Sequence, residues 1–210
     1  MAARSRAADH AGPAMTTGSE GPPDPLAEET LESRLVYTGR FLRVYEDTVR
    51  CPDGHVAPRE YLRHPGAVMV VPVLDDGRLV LERQFRYPLG RSIVEFPAGK
   101  IDPGEDVVAC AQRELREETG YVAREWTYLG GFHNAVGYCD EKIEVYLARG
   151  LAFDATVDND GEVLEVFTAT LPELLAWIDA GEVTDVKTII GAYWLQRAVA
   201  GDPAQRAAKG

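Results

Sequence analysis

Three glutamates stand out by their spacing. Glu114, Glu117 and Glu118 fall at i, i+3 and i+4 within the run Asp106 to Thr119, which reads as a helix closed by Gly120. Those positions share one helix face, one turn of about 5.4 Å apart. Three bare carboxylates on one face repel each other by a few tenths of a kcal/mol per close pair. A hard divalent cation with oxygen ligands turns that cost into a site. On their own, the three also fit a solvated acidic face. Pro97-Ala98-Gly99 through Pro103-Gly104, just before the helix, is a loop punctuated by Pro and Gly.

The full stretch from Gly99 to Gly120 reads G-x5-E-x7-R-E-L-x-E-E-x-G. It resembles the signature of the Nudix hydrolases. One position departs: Tyr121 stands where the family usually has an aliphatic residue, which implies altered packing and intact chemistry. The resemblance implies hydrolysis of a nucleoside diphosphate linked to another group, with Mg²⁺, or alternatively Mn²⁺, as cofactor. It implies Glu114 and Glu118 as the main metal ligands, Glu117 as a close third and the carbonyl of Ala98 as an extra ligand. Arg113 matches the box arginine and is expected to orient a glutamate; its alternative is a solvated helix arginine. Glu105 is expected to support the loop and the helix start.

Beyond the box, Gln84-Phe85-Arg86-Tyr87-Pro88, Glu95-Phe96-Pro97-Ala98-Gly99 and Gly137-Tyr138-Cys139-Asp140-Glu141 are similar to the ADP-ribose pyrophosphatase branch. That resemblance implies Arg86 as a phosphate clamp, with Gln84 and Glu95 as further substrate contacts. It implies Glu141 as a mobile catalytic base, against the alternative of a loop acid beside Asp140. Glu117 and Glu144 are the fallback bases. Phe41 and Tyr61 either stack on a base or serve core packing or a dimer seam. Val136 stands where ADP-ribose hydrolases typically carry Pro, so the identity of the sugar or nucleobase stays open. ADP-ribose, cleaved to AMP and ribose 5-phosphate, comes first; a UDP-sugar or GDP-mannose is the alternative. A non-catalytic sensor with the same fold is the competing class, disfavoured because every box glutamate is kept. An RNA cap hydrolase lacks the basic surface that would hold RNA.

The elements that must position these residues follow from pattern. Strands are expected at Phe41–Arg50, His55–Arg63, Ala67–Leu74, Arg78–Phe85, Ser92–Phe96, Trp126–Phe132, Lys142–Ala148 and Val163–Thr170. Helices are expected at Leu171–Ala180 and Thr184–Val199, the second with Thr184 or Asp185 as N-cap. The order of elements reads as α+β or a mixed α/β sandwich. The resemblance implies an α+β class of the α/β/α sandwich kind, a mixed sheet between helices with an N-terminal antiparallel hairpin. The expected division is a disordered tail over 1–30, a dimerising β region over 31–65, the hydrolase domain over 66–200 and a C-terminal tail over 201–210.

The 210 residues are 45% hydrophobic, enough for one ordinary core, and carry a net charge of −12. Such a surface disfavours nucleic acid and anionic membranes, yet a divalent metal inverts the local field for a small anionic substrate. No apolar run approaches the roughly 18 residues of a membrane span. The first 25 residues lack the apolar core of a secretory signal. Cys51, Cys110 and Cys139 are odd in number, far apart and in no zinc spacing, which reads as reduced thiols. The expected setting is cytoplasmic, the expected assembly a homodimer.

Overall fold

The computed structural model describes residues 24–154 and 163–201. The expected tails lie outside the described residues, except residues 24–30 and Gly201. Here the tail boundary needs correcting: Glu29 and Thr30 already belong to β1 (Glu29–Thr38). With β2 (Arg43–Arg50) and β3 (Val56–Leu62), β1 forms an antiparallel sheet of order β1-β2-β3, one strand more than the expected hairpin. Two register shifts interrupt β1, between Thr30 and Glu32 and between Leu35 and Tyr37. They break the period-two pattern that would have revealed the strand.

The remaining strands are β4 (Ala67–Pro72), β5 (Leu79–Arg86), β6 (Arg91–Glu95), β7 (Ala98–Lys100), β8 (Tyr121–His133), β9 (Lys142–Phe153) and β10 (Leu164–Ala169). They form two sheets, β7-β4-β9-β8 and β10-β5-β6. The first is mixed: β4 runs parallel to β9, and its other pairs are antiparallel. Three helices follow from capping chemistry. Asp106 accepts from the amides of Val108 and Ala109 to open α1 (Val107–Thr119), and Gly120, at φ 73°, closes it. Thr170 and Glu173 form a reciprocal cap on α2 (Leu171–Asp179). Asp185 accepts from the Thr188 amide to open α3 (Val186–Val199).

β4 is buried on both faces, as its unbroken Val/Met run dictates. Val68 and Val70 pack with Cys110, Ala111 and Leu115 of α1. Ala67, Met69 and Val71 face the opposite way, into a core with Leu79 and Leu81 of β5, Leu174 of α2, and Ala192 and Leu195 of α3. The mixed sheet thus lies between α1 and a layer made of the second sheet with α2 and α3. That far layer is tight: a Cβ on Gly191 would meet Met69 Cε at 2.7 Å and the Phe96 ring at 3.2 Å. Tyr121 opens β8, packs against the α1 cluster and meets Phe153 edge-on at 5.4 Å.

Candidate active site

A cavity of about 570 Å³ opens where β5, β7, α1 and α3 converge. Its size suits a small organic ligand. Gln84, Arg86, Ala98, Arg113, Glu114, Glu117, Glu118 and Glu141, all expected as site residues, line it.

The floor is built by an unexpected strand. The Pro/Gly loop of the sequence contains β7, which pairs with β4 through Met69 and Ala98. The Ala98 amide donates to Glu118 Oε2 at 2.9 Å. Gly99 leaves the room that the carboxylate of Glu114 fills: a Cβ at residue 99 would fall inside it. Glu114 and Glu118 are each only 9% exposed. Burial pushes the Glu114 carboxyl up from its usual range, and Arg113 only partly offsets this.

Arg113 holds the cluster in register. Its Nε donates to Glu105 Oε1 at 2.9 Å, and its Nη1 donates to Glu114 Oε1 at 2.8 Å and Glu117 Oε2 at 3.0 Å. Glu105 in turn accepts from the Asp102 amide at 3.0 Å. The Arg113 hydrogen bond and that amide lower the Glu105 carboxyl to about 2.

The opposite wall carries two cations, Arg86 and Lys187, each held by carboxylates. Arg86 makes a two-point contact with Glu95, Nε to Oε1 at 2.6 Å and Nη2 to Oε2 at 2.7 Å. Lys187 Nζ also bonds Glu95 Oε2 and lies 3.0 Å from Asp185 Oδ1. Glu95 is fully buried and does not reach the cavity wall, so the structure does not bring it to substrate as expected. It lies beneath Arg86 and Lys187 and fixes both. Burial pushes its carboxyl up, but the bond from Arg86 and the charge of Lys187 outweigh burial and hold it below its usual range. Lys187 escaped the sequence reading: it is the second residue of α3 and carries no local mark, although the cap Asp185 also lines the cavity.

Glu141 reaches the cavity from the loop between β8 and β9. Its Oε2 accepts from Asn134 Nδ2 at 3.1 Å, and its Oε1 lies 3.5 Å from His64 Nδ1. The loop is tied to the N-terminal sheet: Leu62 donates its amide to the Tyr138 carbonyl at 2.8 Å, and the His64 amide donates to Asp140 Oδ1 at 2.7 Å. Gly137 lies in the loop, and Gly131 sits inside β8. Glu144 is no longer a candidate base, since Tyr128 and Lys142 engage it and it does not line the cavity. Phe41 is on the wall, with Lys100 Nζ 4.4 Å over its ring; Tyr61 instead stacks on Tyr45 at 5.7 Å. Val136 is 80% exposed and off the wall.

A carboxylate cluster and two cations thus line one cavity on this fold. Residues 63–189 match the NUDIX domain. The chain belongs to the Nudix family. Residues 28–62 match the nucleoside diphosphate sugar hydrolase N-terminal domain. This Nudix chain is 39% identical over 174 residues to the ADP-ribose pyrophosphatase of Bacillus subtilis (strain 168), covering 81% of this chain and 94% of that protein. It is also 39% identical over 172 residues to the methanol dehydrogenase activator of Bacillus methanolicus, covering 80% and 92%. A solved ADP compounds hydrolase superposes with a TM-score of 0.77 at 24% identity, covering 87% of this chain and 99% of the other, which establishes the shared fold.

As a Nudix enzyme the chain is a pyrophosphohydrolase, and the family generally uses a divalent metal. The residues present fit such an ion. The candidate ligands Glu114, Glu117 and Glu118 offer hard oxygens, two of them from buried side chains, and Gly99 leaves the space that the Glu114 carboxylate fills. Among the described residues no helix is long and apolar enough to cross a membrane.

Proposed function

We propose that this Nudix enzyme hydrolyses the pyrophosphate bond of a nucleoside diphosphate sugar, with ADP-ribose, giving AMP and ribose 5-phosphate, as first substrate and Mg²⁺ as cofactor. The observation that carries this is the opposition of Arg86 and Lys187 to the glutamates of α1 in one cavity. Cations on one wall and metal-binding carboxylates on the other suit a diphosphate lying between them. The ADP-ribose pyrophosphatase of B. subtilis, aligned over most of both chains, supports the choice of ADP-ribose.

When bound, Mg²⁺ supplies charge neutralisation on the diphosphate and makes water a better nucleophile. Glu114, Glu117 and Glu118, with the Ala98 carbonyl, would hold it. Arg113 keeps these carboxylates apart from one another and in place. Arg86 grips phosphate oxygens, and Glu95 beneath it fixes the fork of its guanidinium. Lys187 adds a second point charge. Glu141 accepts the proton of the attacking water at its carboxylate. Phe41 supplies an apolar face for the nucleoside.

We also propose a homodimer through the N-terminal sheet. Every residue of β1 is exposed, and Leu31, Leu35, Val36 and Tyr37 are 41–56% exposed. An exposed apolar strand of this length calls for a partner. Light scattering at micromolar concentration should give twice the chain mass; the mass of a single chain would refute it.

Turnover against a panel of ADP-ribose, UDP-sugars and GDP-mannose, with and without Mg²⁺, tests the substrate and the metal together. Preference for a UDP-sugar or GDP-mannose would replace ADP-ribose. Turnover unaffected by chelation would overturn the metal assignment.

A further inference from the structure

Away from the cavity, the turn between β2 and β3 gathers Cys51, Asp53 and His55, whose ligand atoms all lie within 4.8 Å of one another. The sequence reading looked only for paired cysteines and passed over this Cys-x-Asp-x-His run. Cys51 Sγ lies 3.3 Å from His55 Nε2 and 3.6 Å from Glu28 Oε1, which comes from the segment entering β1. Metal–ligand distances of about 2.3 Å for sulfur and 2.0–2.2 Å for nitrogen and oxygen put neighbouring corners of a tetrahedron about 3.5 Å apart. The Cys51–His55 and Cys51–Glu28 separations match that spacing. Glu28 stands outside the three residues whose ligand atoms all lie within 4.8 Å of one another and must swing in to close the set.

The imidazole is also oriented for the role. Its Nδ1 lies 2.6 Å from Asp53 Oδ1, so a proton on that nitrogen is donated to the carboxylate and the lone pair of Nε2 faces Sγ. A carboxylate behind a ligating histidine is the usual arrangement at zinc. Arg59 Nη2 reaches both Glu28 Oε1 and Cys51 Sγ, the latter at 3.6 Å, so this corner already holds a cation. Arg59 Nε also donates to Glu28 Oε2 at 2.9 Å, so a metal binding here would have to displace the guanidinium from Glu28.

We propose that Cys51 Sγ, His55 Nε2 and Glu28 bind one divalent cation of the zinc class, with Asp53 orienting His55 and water completing the tetrahedron. The thiol proton leaves to solvent as the sulfur–metal bond forms. The ion fastens the entry of β1 to the β2–β3 turn. It is a structural site, separate from the cavity.

Cobalt(II) is the probe, added to the full-length reduced protein with Mg²⁺ in excess to cover the cavity carboxylates. One equivalent should bind with a thiolate-to-cobalt charge-transfer absorption, and Zn²⁺ should displace it. Cys51→Ser should abolish the absorption. Asp53→Asn should keep the absorption and weaken binding by about 10–100-fold. Arg59→Gln should bind more tightly, because it removes the competing guanidinium. Zn²⁺ should raise the Tm of the parent protein and leave that of Cys51→Ser unchanged. Mg²⁺-dependent turnover should be unaltered in all three variants. No charge-transfer absorption in the parent protein, or one that survives in Cys51→Ser, overturns the proposal.

Discussion

Gly99 and Glu114 share one space: the carboxylate of Glu114 occupies the position where a Cβ of residue 99 would be. The clash falls on the far end of a flexible side chain, so Gly99→Ala should lower Tm little. It should nevertheless displace the carboxylate and cost on the order of 10²-fold in kcat/KM, the usual effect of misplacing a reacting-site group by about 1 Å. Paired melting and kinetic measurements check both halves.

Glu118→Gln keeps an oxygen that can accept from the Ala98 amide, so the β7–α1 contact survives. The charge does not. Turnover at limiting Mg²⁺ should fall by roughly two orders of magnitude or more, with the far-ultraviolet spectrum unchanged. Near parental turnover would remove Glu118 from the ligand set.

Glu141→Gln should depress kcat by about 10²–10⁴-fold with a much smaller change in KM, the signature of a general base. A kcat within about threefold of the parent would shift the role to Glu117, which also lines the cavity.

Lys187→Met removes one of the two cations on Glu95 and leaves the Arg86 contact. KM for the diphosphate substrate should rise by about tenfold or more, with kcat less affected. Initial-rate kinetics over a wide substrate range provide the check. A KM unchanged within error would confine Lys187 to a structural role.

The folded state holds Glu105 at about 2, below its ordinary value of 4.5. In that window the unfolded chain binds more protons, so stability rises with pH. The contribution is complete above the ordinary value and is lost as pH falls toward about 2. Tm measured from pH 5 down to pH 2.5 should therefore drop less steeply in Glu105→Gln than in the parent protein.

Much of this was legible because local signals agreed. The helix of the glutamates had its cap in Asp106 and its stop in Gly120, and β4 had an unbroken apolar run. The carboxylate half of the cavity lies within one stretch of chain, so spacing alone could assemble it. The cationic half could not be read that way. Lys187 meets Glu95 across a separation of 92 residues, and a lone lysine early in a helix carries no local mark. β1 was hidden by its two bulges and its full exposure. β7 was hidden by glycine and proline, which mark a turn unless a neighbouring strand happens to recruit them. Cys51 and His55 were passed over because a single cysteine beside a histidine has too little pattern to weigh.

β4 lies between the helix that bears the glutamates and the helix that bears Lys187. Val68 and Val70 face the first, and Met69 and Val71 face the second helix's side. The span between the two walls of the cavity is therefore a thickness, fixed by side-chain volume at positions no ligand touches. Shaving Met69 against Gly191, or bulking Val70 against Leu115, would move one wall relative to the other with every polar group intact. The separation of the two walls is thus set from the interior of the sheet, by side-chain volume and not by the polar groups of the site.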